Sequence, residues 1–111
     1  MAYSEPYDKL DPKTLDITRA MTSLREELEA VDFYNQRVAT ATDPELKRIM
    51  EHNRDEEKEH AAMLIEWVRR NMDNWDKELH DYLFTSAPLG AHEAAGTESA
   101  ASASDLGIGK L

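Results

Sequence analysis

The sequence predicts an all-α protein in which two long helices form an antiparallel hairpin and a short third helix follows. Two stripes of apolar residues recur in steps of three and four, which is the spacing of one helix face. The connection between the stripes, around residues 41–42, is very short, as it is in helical hairpins. A chain of 111 residues is one small domain at most, so the stripes are expected to finish their burial against a second copy, which makes a four-helix bundle.

A first helix is predicted from Asp11-Pro12 to about Thr40, after an irregular arm over residues 1–10. Asp11 suits the capping position and Pro12 the first helical position, because the N–H that proline lacks would have no partner there. The apolar positions of this helix are Ile17, Met21, Leu24, Leu28, Val31 and Val38.

A second helix is predicted to begin at Thr42 and to run to about Met72. Thr42 and Glu45 have the spacing of a capping box, and Pro44 falls in the first turn. The inward-facing positions of this helix are expected to be Leu46, Ile49, Asn53, Glu57, His60, Leu64 and Trp67.

A third, shorter helix from Asp73 to Phe84 completes a predicted helical domain over residues 11–88. Residues 89–105 are mostly small and polar, which predicts a flexible linker. Residues 106–111, with the sequence LGIGKL, form a short apolar tag after that linker. The side chains of the tag that can fill pockets on a partner are Leu106, Ile108 and Leu111.

The chain carries a formal net charge of −10, with 23 acidic against 13 basic residues. Nucleic acids and anionic membranes attract basic residues, so neither is an expected partner. The acidity favours either cation binding or simply solubility. There is no cysteine, which excludes disulfides, iron–sulfur clusters and thiolate metal sites. Because neither a signal-peptide pattern nor a membrane-spanning apolar run is present, a cytoplasmic protein is expected.

Polar residues replace apolar ones in the middle of the second helix. Residues 51–60 contain no apolar residue, yet the helical phase continues through them, so Glu57 and His60 fall near the centre of the inward face. On the first helix Glu27 shares a face with the apolar stripe, and Tyr34 lies almost directly above it along the helix. A buried carboxylate is costly unless it is paired or bound to a metal, and no Lys or Arg is expected on these faces nearby.

Glu27, Glu57 and His60 together are half of a known ligand set. Ferritin-like di-iron bundles take one Glu from each of two helices and a Glu-x-x-His from each of the other two. A two-fold dimer would supply Glu27, Glu57 and His60 twice and would complete both the bundle and the site. Glu56, one turn before His60, is a candidate acceptor for the free ring nitrogen. The alternatives are an ordinary core histidine and an ion pair between Glu27 and an arginine.

The sequence also resembles the encapsulated ferritins, which are half-ferritins carried as cargo inside encapsulin shells. The resemblance lies in EELEAVDFYNQR at 26–37, HNRDEEKEHAAM at 52–63, EWVRR at 66–70, DYLFT at 81–85 and the terminal LGIGKL. It implies that Glu27, Glu57 and His60 are ferroxidase ligands for iron, with Tyr34 beside them. It also implies that homodimers assemble into a decameric ring and that LGIGKL is a cargo-loading peptide for the encapsulin shell.

The same resemblance implies a second cluster that gathers metal before it reaches the ferroxidase site. This cluster corresponds to Glu26, Glu29 and the aromatic residue Phe33, which share a face roughly opposite the apolar stripe. The family often has Trp at the position of Phe33. The alternative for these residues is a solvated acidic face with one exposed aromatic ring.

Three functions are open at this point. The first is a ferroxidase that oxidises Fe²⁺ with O₂ and delivers iron for mineralisation inside an encapsulin shell. The second is a metal-buffering or metal-delivery protein that uses the same ligands without turnover. The third is a structural helical oligomer whose polar interface residues set the specificity of pairing.

Overall fold

The computed structural model describes residues 3–90, and these are helical or irregular without a strand. The elements are a 3₁₀ turn at Tyr7–Lys9, then α1 (Pro12–Thr40), α2 (Pro44–Asn71) and α3 (Trp75–Tyr82). The chain divides into two compact units, Met1–Asn71 and Met72–Leu111. None of the described helices is long and apolar enough to cross a membrane. The predicted all-α fold, with two long helices packed together and a short third helix, is confirmed.

α1 begins and ends where the sequence predicts. The Asp11 side chain accepts a hydrogen bond from the Thr14 backbone N–H at 2.7 Å, and Pro12 occupies the first helical position. The helix ends because Ala41 adopts an extended conformation, while its N–H still donates to the Arg37 carbonyl at 2.8 Å. The positive charge of Arg37 in the last turn complements the negative end of the helix dipole.

α2 is capped by Asp43 rather than by the predicted Thr42. The backbone N–H of Leu46 donates to Asp43 Oδ2 at 2.8 Å. Asp43 takes this place because it directly precedes Pro44, whose fixed φ suits the first helical position. The helix ends within one residue of its predicted end.

α1 and α2 pack side by side and run in opposite directions. Lys13 Nζ, near the start of α1, donates to Asn71 Oδ1 at the end of α2 at 2.7 Å. Arg54 Nη1 reaches Asn35 Oδ1 at 3.1 Å towards the other end of the pair. The buried apolar side chains among the described residues are mostly small, namely Leu15, Ala20, Val38, Ala61 and Val68. Such side chains bury little apolar surface, so the core of the hairpin is thin.

Part of the predicted inward stripe is left uncovered by the hairpin. Leu28, Leu46 and Ile49 are 51%, 46% and 50% exposed. α2 instead buries the row that contains Ala61 and Val68. A single neighbouring helix covers only a narrow strip of another helix, and the apolar stripe is wider than that strip.

Two short segments differ from their predicted structure. The arm over residues 1–10 contains a 3₁₀ turn at Tyr7–Lys9, in which the Leu10 N–H donates to the Tyr7 carbonyl at 3.1 Å. α3 is shorter than predicted, because Asn74 before it has a φ of 74° and Leu83 after it is extended with a ψ of 148°, and both lie outside the right-handed helical region. The predicted linker from residue 91 onward and the tag residues Leu106, Ile108 and Leu111 lie outside the described residues.

Asp43→Ala is expected to lower the free energy of unfolding by about 1 kcal/mol, because the Leu46 N–H loses its acceptor. Thr42→Ala, one residue earlier, is the matched control and should change it by less than about 0.5 kcal/mol. Urea unfolding followed by circular dichroism measures both variants. Equal losses in the two variants would contradict the assignment of the cap to Asp43.

Candidate metal centre

Two carboxylates and an imidazole meet on one side of the hairpin. Glu27 comes from the middle of α1, and Glu57 and His60 come from the facing part of α2. One ligand atom from each residue lies within 4.8 Å of the other two. His60 Nδ1 is 3.0 Å from Glu57 Oε1 and 3.4 Å from Glu27 Oε1. The residues that the sequence predicts as ligands are therefore close together in the structure.

Helix spacing and a small neighbouring residue produce this arrangement. Glu57 and His60 are three residues apart, so their side chains lie on one face of α2. Ala61, next to His60, is only 5% exposed, and its single methyl group leaves room for α1 to pass close by. The antiparallel packing then places Glu27 opposite both residues.

The electrostatics of the cluster are those of two like charges held in contact. The hydrogen bond with Glu57, partial burial and the nearby negative charge raise the pKa of Glu27 above its usual value. The hydrogen bond from Glu27, followed by the one from His60, lowers the pKa of Glu57. Hydrogen bonds to Glu57 and then to Glu27 raise the pKa of His60 despite some burial. The groups that shift the pKa of Glu27 are thus Glu57 and His60 rather than an arginine. The two carboxylates, Glu27 and Glu57, favour a shared proton or a bound cation.

The ligands lie at the edge of the hairpin and not in its interior. The side chains of Glu27, Glu57 and His60 are 26%, 24% and 43% exposed, whereas the sequence placed Glu57 and His60 near the centre of a buried face. Leu46 and Ile49 precede Glu57 and His60 by about three helical turns each, so they lie along the same side of α2. The open side of the cluster and these uncovered apolar residues therefore lie on the same side of α2.

The chemistry of the donor set fits iron, but one chain supplies only half of it. Carboxylate oxygens together with an imidazole nitrogen suit divalent iron, among other borderline cations. Ferritin-like di-iron bundles use twice the set that Glu27, Glu57 and His60 provide. One hairpin alone therefore offers an incomplete di-iron site.

The predicted outer residues stay apart from this cluster. Among residues 3–90, the group that is able to hold an ion does not include Glu26 or Glu29. Both glutamates are exposed on α1, and so is Phe33. Tyr34 is partly buried, and the guanidinium carbon of Arg37 lies 5.2 Å from its ring centre and 6.0 Å from that of Phe33. The sequence did not predict this cation beside both rings.

Arg54 is a further residue that the sequence interpretation missed. It lies three residues before Glu57, and its guanidinium crosses to Asn35 on α1. An arginine was not expected on this face. Its position could have been predicted from its spacing, because Arg54, Glu57 and Ala61 are three and four residues apart and therefore share one face of α2.

This chain is similar to a family and to several known proteins, two of which carry the ferritin name. The family described as EncFtn-like matches residues 2–86. A ferritin-like protein of Thermotoga maritima is 52% identical over 112 residues, which covers 98% of this chain and 96% of that protein. An encapsulated ferritin-like protein of Rhodospirillum rubrum is 53% identical over 105 residues, covering 95% and 75% of the two chains. The crystal structure of a Nitrosomonas europaea protein, 62% identical, matches with a TM-score of 0.77 over 79% of this chain and 98% of that chain.

In the metal-free protein, Glu57→Gln is expected to lower the pKa of His60, because the hydrogen bond with the Glu57 carboxylate is the largest cause of its raised value. NMR titration of the imidazole signals in the presence of a chelator measures this change. The raised pKa also means that charged His60 contributes stability below its ordinary pKa of 6.5, and that this contribution is lost as the pH rises through the folded-state pKa.

Glu56→Gln is the matched control for this titration. Glu56, predicted as an acceptor for His60, instead lies 3.4 Å from His52 Nε2. The variant removes a negative charge from the same turn of α2 but should leave the pKa of His60 unchanged. An equal shift in both variants would mean that the net charge of α2, and not contact with Glu57, sets that pKa.

Proposed function

The chain belongs to the EncFtn-like family, and from this premise we propose that it is a ferroxidase. Its substrates are Fe²⁺ ions, each of which gives up one electron to O₂, and they bind in pairs at a site formed between two copies of the chain. The main support is the half-set of ligands, Glu27, Glu57 and His60, with ligand atoms within 4.8 Å of one another at the open edge of the hairpin. The presence of three donors of the right chemistry in one place distinguishes this edge from an ordinary acidic surface.

A two-fold axis beside the cluster would double the donor set. Each copy contributes Glu27, Glu57 and His60, so that four carboxylates and two imidazoles face two cations. The four negative charges of these carboxylates then balance the four positive charges of two Fe²⁺ ions. Such a balance is what burial of ions between helices requires.

The uncovered apolar side chains support the same pairing. Leu28 follows Glu27 directly, and Leu46 and Ile49 share the helical phase of Glu57 and His60, yet all three are about half exposed in one chain. Covering them with a second hairpin contributes roughly 25 cal/mol per Å² of apolar surface removed from water. The second copy would thus supply the missing ligands and exclude water from the site together.

In this proposal the protein side chains bind the metal, and protons compete with the metal for the same ligand atoms. In the metal-free hairpin, Glu27 has a raised pKa and shares a hydrogen bond with Glu57. Metal binding needs ionised carboxylates and a neutral imidazole, so iron would displace any proton that Glu27 or His60 holds, and iron binding is expected to weaken as the pH falls. The bound iron supplies the electrons that reduce O₂. Tyr34, partly buried and on the same face of α1 as Glu27, is proposed to lie beside the ligands.

An outer cluster of Glu26, Glu29 and Phe33 is proposed to gather Fe²⁺ before it reaches the ligands. These residues are exposed along one side of α1, and a net charge of −10 attracts cations to the surface. Arg37, which lies 6.0 Å from the Phe33 ring centre, helps to fix the orientation of that ring.

The proposed place of work is inside an encapsulin shell in the cytoplasm. A relative that covers 95% of this chain is named an encapsulated ferritin-like protein. Residues 106–111 are proposed as the loading peptide, on a tether formed by residues 89–105. Dimers are proposed to assemble into a decameric ring, which encloses no cavity of its own, so mineralisation of the oxidised iron would take place in the shell.

Glu57→Ala and His60→Ala are each expected to slow Fe²⁺ oxidation by about tenfold or more, because each variant removes a metal ligand. Oxygen consumption after anaerobic addition of Fe²⁺ measures the rate, and far-UV circular dichroism should show nearly unchanged helix content. Glu45→Ala and His80→Ala are the matched controls, since they remove the same chemical groups from exposed positions outside the cluster.

Each outcome of this experiment separates one function from the others. Rates equal to the wild type in both ligand variants would contradict the site. Stoichiometric iron binding without oxygen consumption would indicate a metal buffer, and the absence of metal binding would leave a structural oligomer. Sedimentation with and without Fe²⁺ checks the shared site, because a monomer that binds two irons tightly would contradict it.

Deleting residues 106–111 is expected to leave oxygen consumption unchanged and to stop co-purification with an encapsulin shell, because the ligands lie on α1 and α2. A flexible tether of the length of residues 91–105 is expected to span on the order of 20 Å, which would let the tag bind a shell wall without disturbing α1 and α2. Fusing residues 91–111 to an unrelated fluorescent protein is the stronger form of the experiment, with fluorescence measured in purified shells. A cognate shell that encloses no fusion protein would make this chain a free ferroxidase.

A further inference from the structure

Resting on the proposed function, we infer that Arg54 is a positioning residue for the ligand cluster, acting through its hydrogen bond to Asn35 on the opposite helix. This pair joins α1 and α2 next to the cluster and fixes how far each helix is rotated about its own axis. Its effect on Glu27, Glu57 and His60 is indirect, through the backbones of the two helices.

Arg54 is held from two directions. Its Nη1 donates to Asn35 Oδ1 at 3.1 Å, and its Nε donates to Asp55 Oδ1 at 3.1 Å. Asp55 is in turn 3.2 Å from Lys58 Nζ, so a chain of polar contacts runs from the outer surface of α2 across to α1. The Arg54 side chain is only 21% exposed, unlike its two charged neighbours in this chain of contacts. A planar guanidinium suits this position because its N–H groups can serve two acceptors at fixed angles.

The Arg54–Asn35 pair is close to the ligands along α2 and about two turns away from them along α1. Arg54 lies about one turn before Glu57 on α2, and Asn35 lies roughly 12 Å of helix beyond Glu27 on α1. A second interhelical side-chain hydrogen bond, from Lys13 to Asn71, lies at the far end of the pair. Lys13 is roughly 21 Å of helix from Glu27.

Rotation of a helix about its axis is the movement to which the site is most sensitive. The short connection over residues 41–43 limits how far α1 and α2 slide past each other but does not set their rotation. Side-chain ends stand about 5–6 Å from the helix axis, so a rotation of roughly 20° moves one by about 2 Å. A productive metal site needs its ligands within about 0.5 Å of their places. A directional hydrogen bond beside the ligands restricts this rotation, whereas small apolar contacts such as Ala61 do so only weakly.

Simple stabilisation of the hairpin is the competing explanation for Arg54. Partly buried ionic groups are often no more stabilising than apolar residues of similar size, and the charged group must give up part of its hydration. A leucine or methionine at this position would serve a thin core better. The directional hydrogen bond from Arg54 to Asn35 is therefore better explained by the helix orientation that it imposes.

The experiment compares Arg54→Gln with Lys13→Gln in the full-length protein. Both variants remove a positive charge and an interhelical hydrogen bond, but only Arg54 adjoins the ligands. The measurements are the thermal midpoint, the Co²⁺ absorption spectrum as a probe of ligand geometry, and kcat and KM for Fe²⁺. Arg54→Gln is expected to lower kcat by about tenfold and to alter the Co²⁺ bands. Lys13→Gln should keep kcat and the Co²⁺ bands at wild-type values, even if its thermal midpoint falls as far as that of Arg54→Gln.

Three further variants separate geometry from charge. Arg54→Lys keeps the charge but not the two-acceptor fork, so it should behave like Arg54→Gln. Asn35→Ala should also behave like Arg54→Gln. The double variant that combines Arg54→Gln with Asn35→Ala should be no worse than either single variant, because each of them removes the same interaction. Full activity with an unchanged Co²⁺ spectrum in Arg54→Gln, full rescue by Arg54→Lys, or equal effects from Lys13→Gln would each overturn the inference.

The cobalt spectrum distinguishes failure of this inference from failure of the ferroxidase proposal. A wild-type protein that binds Co²⁺ but consumes no oxygen with Fe²⁺ would overturn the ferroxidase proposal, while the variant spectra would still decide the role of Arg54. A wild-type protein that binds no Co²⁺ at this cluster would overturn both.

Discussion

The closeness of two carboxylates, Glu27 and Glu57, which have oxygen atoms within 4.8 Å of each other, is the constraint on which the rest of this protein depends. Two negative charges this close repel each other, and a proton or a cation between them relieves the repulsion; the pKa of Glu27 is raised and that of Glu57 is lowered. His60 lies within 3.4 Å of both and carries a raised pKa for the same reason. Because the three side chains lie at an open edge of the hairpin, water offsets part of their charge until a cation is bound.

The thin core of the hairpin and the ligand cluster have a common origin in small residues. Ala20 and Ala61 are buried, and their size allows the backbones of α1 and α2 to lie close together. Close backbones are what bring Glu27 within reach of His60 across the pair. The same small residues bury little apolar surface, and larger ones such as Leu46 and Ile49 remain half exposed. The small buried residues therefore allow the ligands to meet, and they also leave apolar side chains exposed that a second copy would cover.

The helices were predictable because their signals are local. Asp11 and Pro12 act within one turn to begin α1, and the prediction of that start is confirmed to the residue. The cap of α2 was placed on Thr42 because its spacing to Glu45 matched a capping box, whereas Asp43 accepts the hydrogen bond. The Asp43-Pro44 pair, the same signal as Asp11-Pro12, was the better guide, since a proline at the first helical position places the cap on the residue before it.

Which residues form the candidate site was determined by the sequence, because the spacing of Glu57 and His60 is a property of a single helix. How they are buried was decided by the tertiary structure. Two adjacent rows on α2 are both compatible with the apolar pattern, and the row of Ala61 and Val68 faces α1 because it permits the closer approach. Arg54 and Asn35 illustrate the same limit. Their contact depends on the relative register and rotation of two helices, and the periodicity of either helix alone carries no information about that relation.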